Sequence, residues 1–410
     1  MRVLGIIAEY NPFHSGHAFQ IAESRRLLNK NLPCIAVMSG CWVQQADCAL
    51  TDKWSRAHLA LMGGVDLVLE LPTVWAAASA EAFARGAVSL LNSTGIVNIL
   101  SFGSECGNLE PLQKLALCLD GPEYRSNLPV FLNQGLSFPD ARRRAVLQSG
   151  CKDADLLAFP NNNLGVEYLR ALSAMNSTIT PMTILRRGAF HNSSDEVFSD
   201  QPFASASQIR AALRSGKWDK SMPYLLPCTC DILSQNHRGL SLFARIEPAI
   251  MAKIRTMTAE HWSYLPDSGK AEGLPDRLVR AGQHAVSLED FLSLAKTKRY
   301  THSRIRRLVL WAYLGLTAED IPSAPPYLRV LGFTPRGQML LRMMKDTASI
   351  PILTKPAHAK LLDGPARRLF ELESRCTDLY DLCLETTPAP RRDWTTGPVL
   401  VPSSECEVER

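Results

Sequence analysis

The sequence predicts an α/β protein: a doubly wound parallel sheet in the amino-terminal half, followed by a mainly helical carboxyl-terminal domain. Strand-like apolar runs alternate with helix-like segments up to about residue 190. These runs show little polar alternation, which is typical of strands buried on both faces. After Leu213 helical spacing dominates. We therefore predict domains at residues 1–215 and 216–385, and a disordered tail at 386–410, rich in Pro, Thr, Ser and charge.

The first strand and the turn after it carry the strongest signal. The run Val3–Ala8 predicts a buried strand, and Pro12 ends it because proline cannot donate to a ladder. Helical spacing resumes after Gly16, so His14 and His17 bracket the first turn of a helix. The unpaired N–H groups at such a helix end suit phosphate. The alternative is a strand–turn–helix that happens to contain two histidines.

The remaining elements of the amino-terminal half follow the same alternation. Asp52 is predicted to cap a helix, and another helix is expected at Ala80–Leu91. Further strands are predicted at Leu32–Ser39, Val65–Leu71, Asn98–Phe102 and Thr180–Leu185, and a less regular span at 109–155. Ligands are expected above the carboxyl ends of the strands. The chain contains neither GxGxxG nor GxxxxGK[ST], which argues against a dehydrogenase-type dinucleotide site and excludes a P-loop.

Several polar groups follow predicted strands. Glycine ends the strands at Gly40 and Gly103, where a base or ribose could lie on the backbone, although plain turns use glycine too. The amides of Asn161 and Asn162 precede an apolar helix and could cap it or contact adenine.

Two basic groups further along the chain suit a polyphosphate. Arg186 and Arg187 follow a strand and resemble a clamp, a solvated basic loop being the alternative. Ser207 is expected to cap a later helix with Arg210 in its first turn.

Two carboxylates lie inside a predicted strand. Asp66 and Glu70 must find partners there, and a structural pairing with Arg56 or Lys53 is as plausible as a site role.

A basic run in the carboxyl-terminal half predicts contact with nucleic acid. Residues 296–307 contain no acid, and an embedded Tyr300 favours phosphate-backbone contact over a solvated face. Apolar residues follow at once, so we expect the basic side chains on one side of an anchored helix start. The predicted RNA-binding residues are Lys296, Lys298, Arg299, Arg304, Arg306 and Arg307.

Composition indicates a soluble cytoplasmic protein. The net charge of +5 is mild, so any nucleic-acid surface must come from local clustering. The 11 cysteines include no CxxC pair, which favours reduced thiols over disulfides or structural zinc, and we predict no metal site. No apolar run approaches the ~20 residues that cross a bilayer, so no membrane partner is expected.

The chain also resembles a known family. The strand followed by HxGH is the signature of the nucleotidyltransferase superfamily, whose fold is a Rossmann-like parallel sheet. The string from Gly5 to His17 is similar to one branch, the bacterial tRNA(Met) cytidine acetate ligases. Further family motifs are matched by Asp52 to Arg56, by Phe102 to Glu105 and by the stretch from Lys296 to Ile305. The resemblance covers residues 1 to about 355.

The resemblance implies an ATP-dependent ligase that makes N4-acetylcytidine at the wobble position of elongator tRNA(Met). Acetate and ATP would form acetyl-adenylate, and AMP and pyrophosphate would be released. It implies an ATP site made of Ile7, Ala8, Glu9, Tyr10, Asn11, Pro12, Phe13, His14, Ser15, Gly16, His17, Ala18, Phe19, Gln20, Gly103, Asn161, Asn162, Arg186 and Arg187.

We assign catalytic roles within that site to two histidines. His14 and His17 would face the charge that develops on the α- and β-phosphates, and Arg186, Arg187 and Arg210 would hold the leaving pyrophosphate. Mg²⁺ is expected as the counterion of ATP, without a dedicated protein cage.

One departure from the family pattern keeps two alternatives open. Where relatives carry arginine and glycine, this chain has Gln45 and Ala46, which leaves the loop's contact with substrate in question. The alternatives are an adenylyltransferase acting on a small phosphorylated cofactor precursor, and a non-catalytic nucleotide-dependent RNA-binding protein. The basic carboxyl-terminal run argues against the first.

Overall fold

A computed structural model describes residues 1–187, 203–234, 238–269 and 273–402 of the chain. The strands form a sheet in the order β10-β8-β5-β2-β1-β6-β7, with β9 beside β8, while β3 and β4 form a separate hairpin. Their bounds are β1 Leu4–Ala8, β2 Cys34–Ser39, β3 Trp42–Val43, β4 Asp47–Cys48, β5 Leu67–Leu71, β6 Ile99–Ser104, β7 Thr180–Leu185, β8 Leu328–Phe333, β9 Ile352–Leu353 and β10 Val399–Leu400.

The helices alternate with these strands and then dominate the carboxyl-terminal half. Their bounds are α1 Ser15–Leu27, α2 Lys53–Met62, α3 Thr73–Ala76, α4 Ala80–Ser93, α5 Leu109–Asp120, α6 Pro122–Asn133, α7 Phe138–Gln148, α8 Pro160–Ala174, α9 Ala206–Arg214, α10 Trp218–Ser221, α11 Thr229–Ser234, α12 Glu247–Thr256, α13 Ala259–Ser263, α14 Leu274–His284, α15 Leu288–Ala295, α16 His302–Leu314, α17 Pro335–Thr347, α18 Gly364–Asp381 and α19 Arg392–Thr395. Short 3₁₀ segments lie at Lys152–Ala158, Met222–Tyr224, Phe243–Ile246, Ala318–Asp320 and Pro356–Leu361.

The predicted α/β fold is confirmed, and three strands of the carboxyl-terminal half, β8, β9 and β10, are added to the sheet. Strands β1, β2, β5, β6 and β7 are parallel neighbours, so their carboxyl ends share one edge. Strand β8 runs antiparallel to β5, and the sheet is therefore mixed. Since β8 and β10 come from the carboxyl-terminal half, both halves of the chain contribute to one sheet. The division at residues 215/216 stays a prediction.

The sheet separates two layers of helices. Successive side chains of a strand point to opposite faces, and in β2 Ile35 and Val37 pack into one apolar cluster while Ala36 and Met38 pack into another. Helix α4 contributes to the first cluster, and α1 and α2 contribute to the second. Burial on both faces explains why the strands are continuous apolar runs.

Most helix starts follow ordinary capping rules, and two predictions need correction. Asp52 caps α2 as predicted, accepting from the Ser55 N–H at 2.9 Å. Helix α9 begins at Ala206 and its N-cap is Ser205, so the prediction of Ser207 as the cap is wrong. Ser205 prevails because its hydroxyl accepts from the Gln208 N–H while the Gln208 side chain bonds back. The span 109–155, expected to be less regular, forms α5, α6 and α7, with proline or glycine near their ends.

A buried ionic network joins the chain's end to the sheet. The Lys53 Nζ lies 2.7 Å from a Glu70 oxygen, which confirms one predicted pairing, and 2.6 Å from an Asp393 oxygen. Arg329 also bonds Asp393. Asp66 pairs instead with Arg25, at 3.4 Å.

This network corrects the prediction of a disordered tail from residue 386. Asp393 is fully buried, and β10 pairs with β8 as far as Leu400. The composition of the tail hid this because isolated buried groups, such as Asp393 and Val401, hold it rather than a continuous apolar run. Residues 403–410 lie outside the described part of the chain.

The described residues also report on membrane, metal and redox features. Among them, no helix is both long and apolar enough to span a membrane. No group of three or more His, Cys, Asp or Glu side chains in these ranges could hold a metal ion. The cysteines they include are free thiols.

Candidate active site

The two predicted histidines interlock at the amino end of α1. Nδ1 of His14, the N-cap residue, accepts from the Gly16 N–H at 3.1 Å. Nδ1 of His17 accepts from the His14 N–H at 3.2 Å. Because a neutral imidazole carries one proton, an accepting Nδ1 places that proton on Nε2. The backbone thus sets the same tautomer in both rings.

Burial keeps this pair uncharged. The ring centres lie 3.8 Å apart, and only 7% of His14 is exposed. Burial, with Arg186 and Arg210 nearby, lowers the pKa of His14 from 6.5 to about 3. Burial, with His14 and Arg186 nearby, holds the pKa of His17 well below its usual range. At neutral pH both rings therefore offer Nε2–H as a neutral donor, and positive charge must come from other side chains.

A cavity of about 410 Å³ opens above this helix end, at the carboxyl edge of the parallel strands. It collects predicted residues from β1, α1, β6, α8 and β7. Those that line it are Ile7, Ala8, Glu9, Tyr10, Asn11, His14, His17, Gln20, Gly103, Asn161 and Arg186. Gly16, Phe19 and Arg187 line a smaller adjoining cavity of about 50 Å³.

Five residues of the predicted site line neither cavity: Pro12, Phe13, Ser15, Ala18 and Asn162. Phe13 is fully buried, and its ring packs so closely on Gly63 that a Cβ there would lie 2.2 Å from it. The contact of these five residues with ATP stays a prediction.

Two arginines supply positive charge to the cavity. Arg186 follows β7 and its N–H donates to the Ser104 carbonyl at 2.9 Å, which places its side chain over Gly103. Arg210 lies in α9 and donates to the Asn11 carbonyl at 2.9 Å. Guanidinium groups remain charged in proteins, so the two provide the cationic complement to the neutral imidazoles. The residues after Arg187 in this motif, Gly188 to His191, lie outside the described residues.

The predicted asparagines belong to a clamp that shapes one wall. The Glu105 carboxylate accepts from the Asn161 and Asn162 N–H groups at 3.2 and 2.7 Å, at the amino end of α8. The side-chain Oδ1 of Asn162 accepts in return from the Glu105 and Cys106 N–H groups. Asn162 is fully buried, and its side-chain Nδ2 donates to the Leu156 carbonyl, so both polar atoms of the side chain are engaged. Only Asn161 of the pair lines the cavity.

The hairpin that departs from the family pattern also lines the cavity. Gln44 and Gln45 face it from the turn between β3 and β4, and the Gln44 N–H donates to the Glu9 carboxylate at 2.9 Å. Ala46 has φ of 54°, a left-handed conformation that favours glycine. Alanine therefore adopts this conformation at a cost that glycine would not carry.

Sequence reasoning missed the apolar side of the cavity. Phe83, Phe102, Leu164 and Tyr168 line it, and the Phe102 and Tyr168 rings meet edge to face at 5.7 Å. Each sits in a helix or strand where its spacing matches core packing. The strand-end position of Phe102, next to Gly103, was the one signal available.

The basic run begins an anchored helix, as predicted. Thr301 caps α16, and Ile305 and Leu308 are fully buried. Arg304 and Arg307 contact Asp267 at 3.3 and 2.7 Å. Lys296, Lys298 and Arg299 are exposed and Arg306 is half-buried. Binding of RNA by this run stays a prediction.

Comparison with known proteins identifies the family of this chain. A family model for HIGH Nucleotidyl Transferase matches residues 1–393. The tRNA(Met) cytidine acetate ligase of Alkaliphilus metalliredigens is 36% identical, covering 97% of this chain and 98% of that protein. The enzyme of the same name from Clostridium acetobutylicum is 39% identical, covering 93% and 98%.

Solved structures are also similar over the whole chain. The apo crystal structure of Thermotoga maritima TmcAL superposes with a TM-score of 0.91 at 33% identity, covering 98% of this chain and all of that one. The form bound with alpha-thio ATP gives 0.90 at 32% identity, with the same coverage. From the family model and these relatives, the chain belongs to the HIGH nucleotidyltransferase family, in its tRNA(Met) cytidine acetate ligase branch.

Proposed function

We propose that this protein is an ATP-dependent acetate ligase that acetylates N4 of the wobble cytidine of elongator tRNA(Met). The names of its relatives support this activity, and the Thermotoga maritima structure with alpha-thio ATP supports nucleotide binding. The observation that carries the proposal is the cavity in which the interlocked His14 and His17 meet Arg186 and Arg210. We also propose that the enzyme works in the cytoplasm, where tRNA and ATP meet.

In the first step, an acetate oxygen attacks the α-phosphorus of ATP. An O–P bond forms, the bond to the bridging oxygen breaks, and pyrophosphate leaves. Such displacement needs positioning and charge stabilisation more than covalent help. The Nε2–H groups of His14 and His17 donate to phosphate oxygens, while Arg186 and Arg210 offset the charge that grows on pyrophosphate.

Mg²⁺ would arrive with the triphosphate. The described residues offer no three-carboxylate or His/Cys cage for it, so phosphate oxygens and water would supply most of its ligands.

In the second step, N4 of cytidine attacks the acetyl carbonyl. A C–N bond forms, the C–O bond to the adenylate breaks, and AMP leaves. An unpaired anticodon base can be turned out of its stack at low cost. Exposed Lys298 and Arg299 would hold the tRNA backbone.

Exchange of labelled pyrophosphate into ATP tests the proposal. Exchange that requires acetate supports the ligase. Exchange that requires a phosphomonoester supports a small-molecule adenylyltransferase, and no exchange supports a non-catalytic RNA-binding protein.

Variants test how the two steps are divided between regions. We expect His17→Ala to abolish exchange and retain tRNA binding in a gel shift. Charge reversal at Lys298 and Arg299 should do the opposite, and it leaves the contacts of Arg304 with Asp267 in place. The matched control reverses Lys345 and Lys360, which are exposed and lie outside the basic run. Loss of both activities in either test variant would refute this division.

A further inference from the structure

Glu9 occupies a distinctive position in the cavity. It follows β1 directly, is half-buried, and its Oε1 accepts from the Gln44 N–H at 2.9 Å. Within the described part of the chain Oε2 has no hydrogen-bond partner, and it is not a sealed, buried atom. One oxygen therefore holds the β3–β4 hairpin while the other remains available to a ligand.

The other polar groups around the cavity cannot accept a proton from a substrate. His14 and His17 already use Nδ1 as an acceptor and carry their proton on Nε2. Arg186 and Arg210 are donors only. Burial and the nearby Glu9 charge raise the pKa of Tyr168, which keeps that phenol protonated. Among the described residues that line the cavity, Glu9 is the only carboxylate.

The second step needs such an acceptor. The lone pair of cytosine N4 is delocalised into the ring, so the amine is a weak nucleophile. As its bond to the acetyl carbon forms, the nitrogen becomes positive and must lose one proton before the amide is complete. The electron pair of the breaking C–O bond leaves with AMP, and the proton needs a base within hydrogen-bond reach.

We propose that Glu9 is the general base of acetyl transfer and that Oε2 takes the proton from cytidine N4. This inference rests on the proposed function. It assigns Glu9 to the second step, whereas the imidazoles and arginines serve the first. Arg56 supports the position of Glu9, since it donates to the Glu9 backbone carbonyl at 2.7 Å. The Gln44 contact at Oε1 orients the carboxylate and leaves Oε2 to meet the substrate.

Glu9→Gln separates chemistry from structure. The glutamine Oε1 can still accept from the Gln44 N–H, so the hairpin keeps its contact while the base is lost. Single-turnover transfer from synthetic acetyl-adenylate to tRNA should fall by about 10²- to 10⁴-fold. Acetate-dependent pyrophosphate exchange should fall far less. The transfer rate of the variant should keep rising with pH, because hydroxide replaces the base, in a range where the wild-type rate has levelled off.

Two controls accompany this variant. Glu110→Gln removes a carboxylate whose side chain is 70% exposed on α5, outside the cavity, and should leave both half-reactions within about twofold. Glu9→Asp keeps a carboxylate and should recover part of the transfer rate lost in Glu9→Gln. This second comparison serves even if the amide variant folds poorly.

The following results would overturn the assignment of Glu9 as the base of acetyl transfer, or the proposed function on which it rests. Equal losses of exchange and transfer in Glu9→Gln would place Glu9 on ATP or its metal ion instead. An unchanged transfer rate, or a pH profile parallel to wild type, would exclude it as the base. Absence of acetate-dependent exchange in the wild-type protein would instead refute the proposed function itself.

Discussion

His14 links the stability of this protein to pH. Its pKa is about 3 in the folded protein because the ring is buried near Arg186 and Arg210, and 6.5 is its ordinary value. Between pH 6.5 and 3, His14 therefore binds a proton in the unfolded chain but not in the folded protein. The stability that comes from keeping His14 uncharged is fully present above pH 6.5 and is lost progressively as the pH falls toward 3. Each pH unit in that window lowers the free energy of unfolding by about 1.4 kcal/mol, up to about 5 kcal/mol in total.

His14→Asn isolates this contribution. Asparagine is a favoured N-cap, and its Oδ1 can accept from the Gly16 N–H as Nδ1 does. The backbone contact to His17 stays available, but the titrating group is gone. Urea unfolding at a series of pH values should give curves for wild type and variant that converge toward acid, with the wild type losing about 1.4 kcal/mol more per pH unit.

Ser205→Asn is the matched control. It also replaces an N-cap residue, that of α9, with asparagine, but it removes no titrating group. Its stability should differ from wild type by an amount that does not vary with pH. Parallel pH profiles for wild type and His14→Asn would refute the argument, since they would mean that His14 takes up its proton in the folded state.

Three further predictions concern strain, burial and charge. Ala46→Gly should raise the free energy of unfolding by about 1 kcal/mol, because Ala46 is held at φ 54°, and a lower urea midpoint would contradict this. Asp393→Asn should lower it by about 3–5 kcal/mol, since buried Lys53 and Arg329 would then share one carboxylate, Glu70, instead of two; exposed Glu371→Gln is the control, and an equal, small change in both would show that the network contributes little. Arg186→Met should weaken ATP binding by about 10- to 100-fold by calorimetry, and unchanged affinity would place the triphosphate elsewhere.

Site residues could be predicted from sequence where they share one helix turn or directly follow a recognisable strand. His14 and His17 share one helix turn, and Arg186 follows a recognisable strand, so pattern alone placed them at the correct edge of the sheet. Phe83 and Tyr168 could not be found in this way. Their helical spacing is that of core residues, and only the packing of α4 and α8 against the sheet brings them to the cavity.

The roles of the asparagines also depended on contacts across the chain. Asn161 and Asn162 are adjacent and alike in sequence, but their side chains have different partners. The Asn162 Oδ1 accepts from the Glu105 and Cys106 N–H groups and is fully buried, whereas the Asn161 Nδ2 donates to the Glu105 carboxylate at 2.6 Å beside the cavity. The backbone N–H of Glu105, 57 residues away, holds the Asn162 side chain in the loop. Such a choice is invisible to local propensity.

The sequence by itself determined the buried parallel strands, the Asp52 cap of α2 and the position of His14 and His17 at the first turn of α1, because these depend on neighbours within a few residues. The tertiary structure decided the rest. It brought β8 and β10 into the sheet, buried Asp393 against Lys53 from 340 residues away, and left Glu9 as the carboxylate of the cavity. Those outcomes come from strand pairing and from the pairing of buried charges between distant segments, which no local pattern encodes.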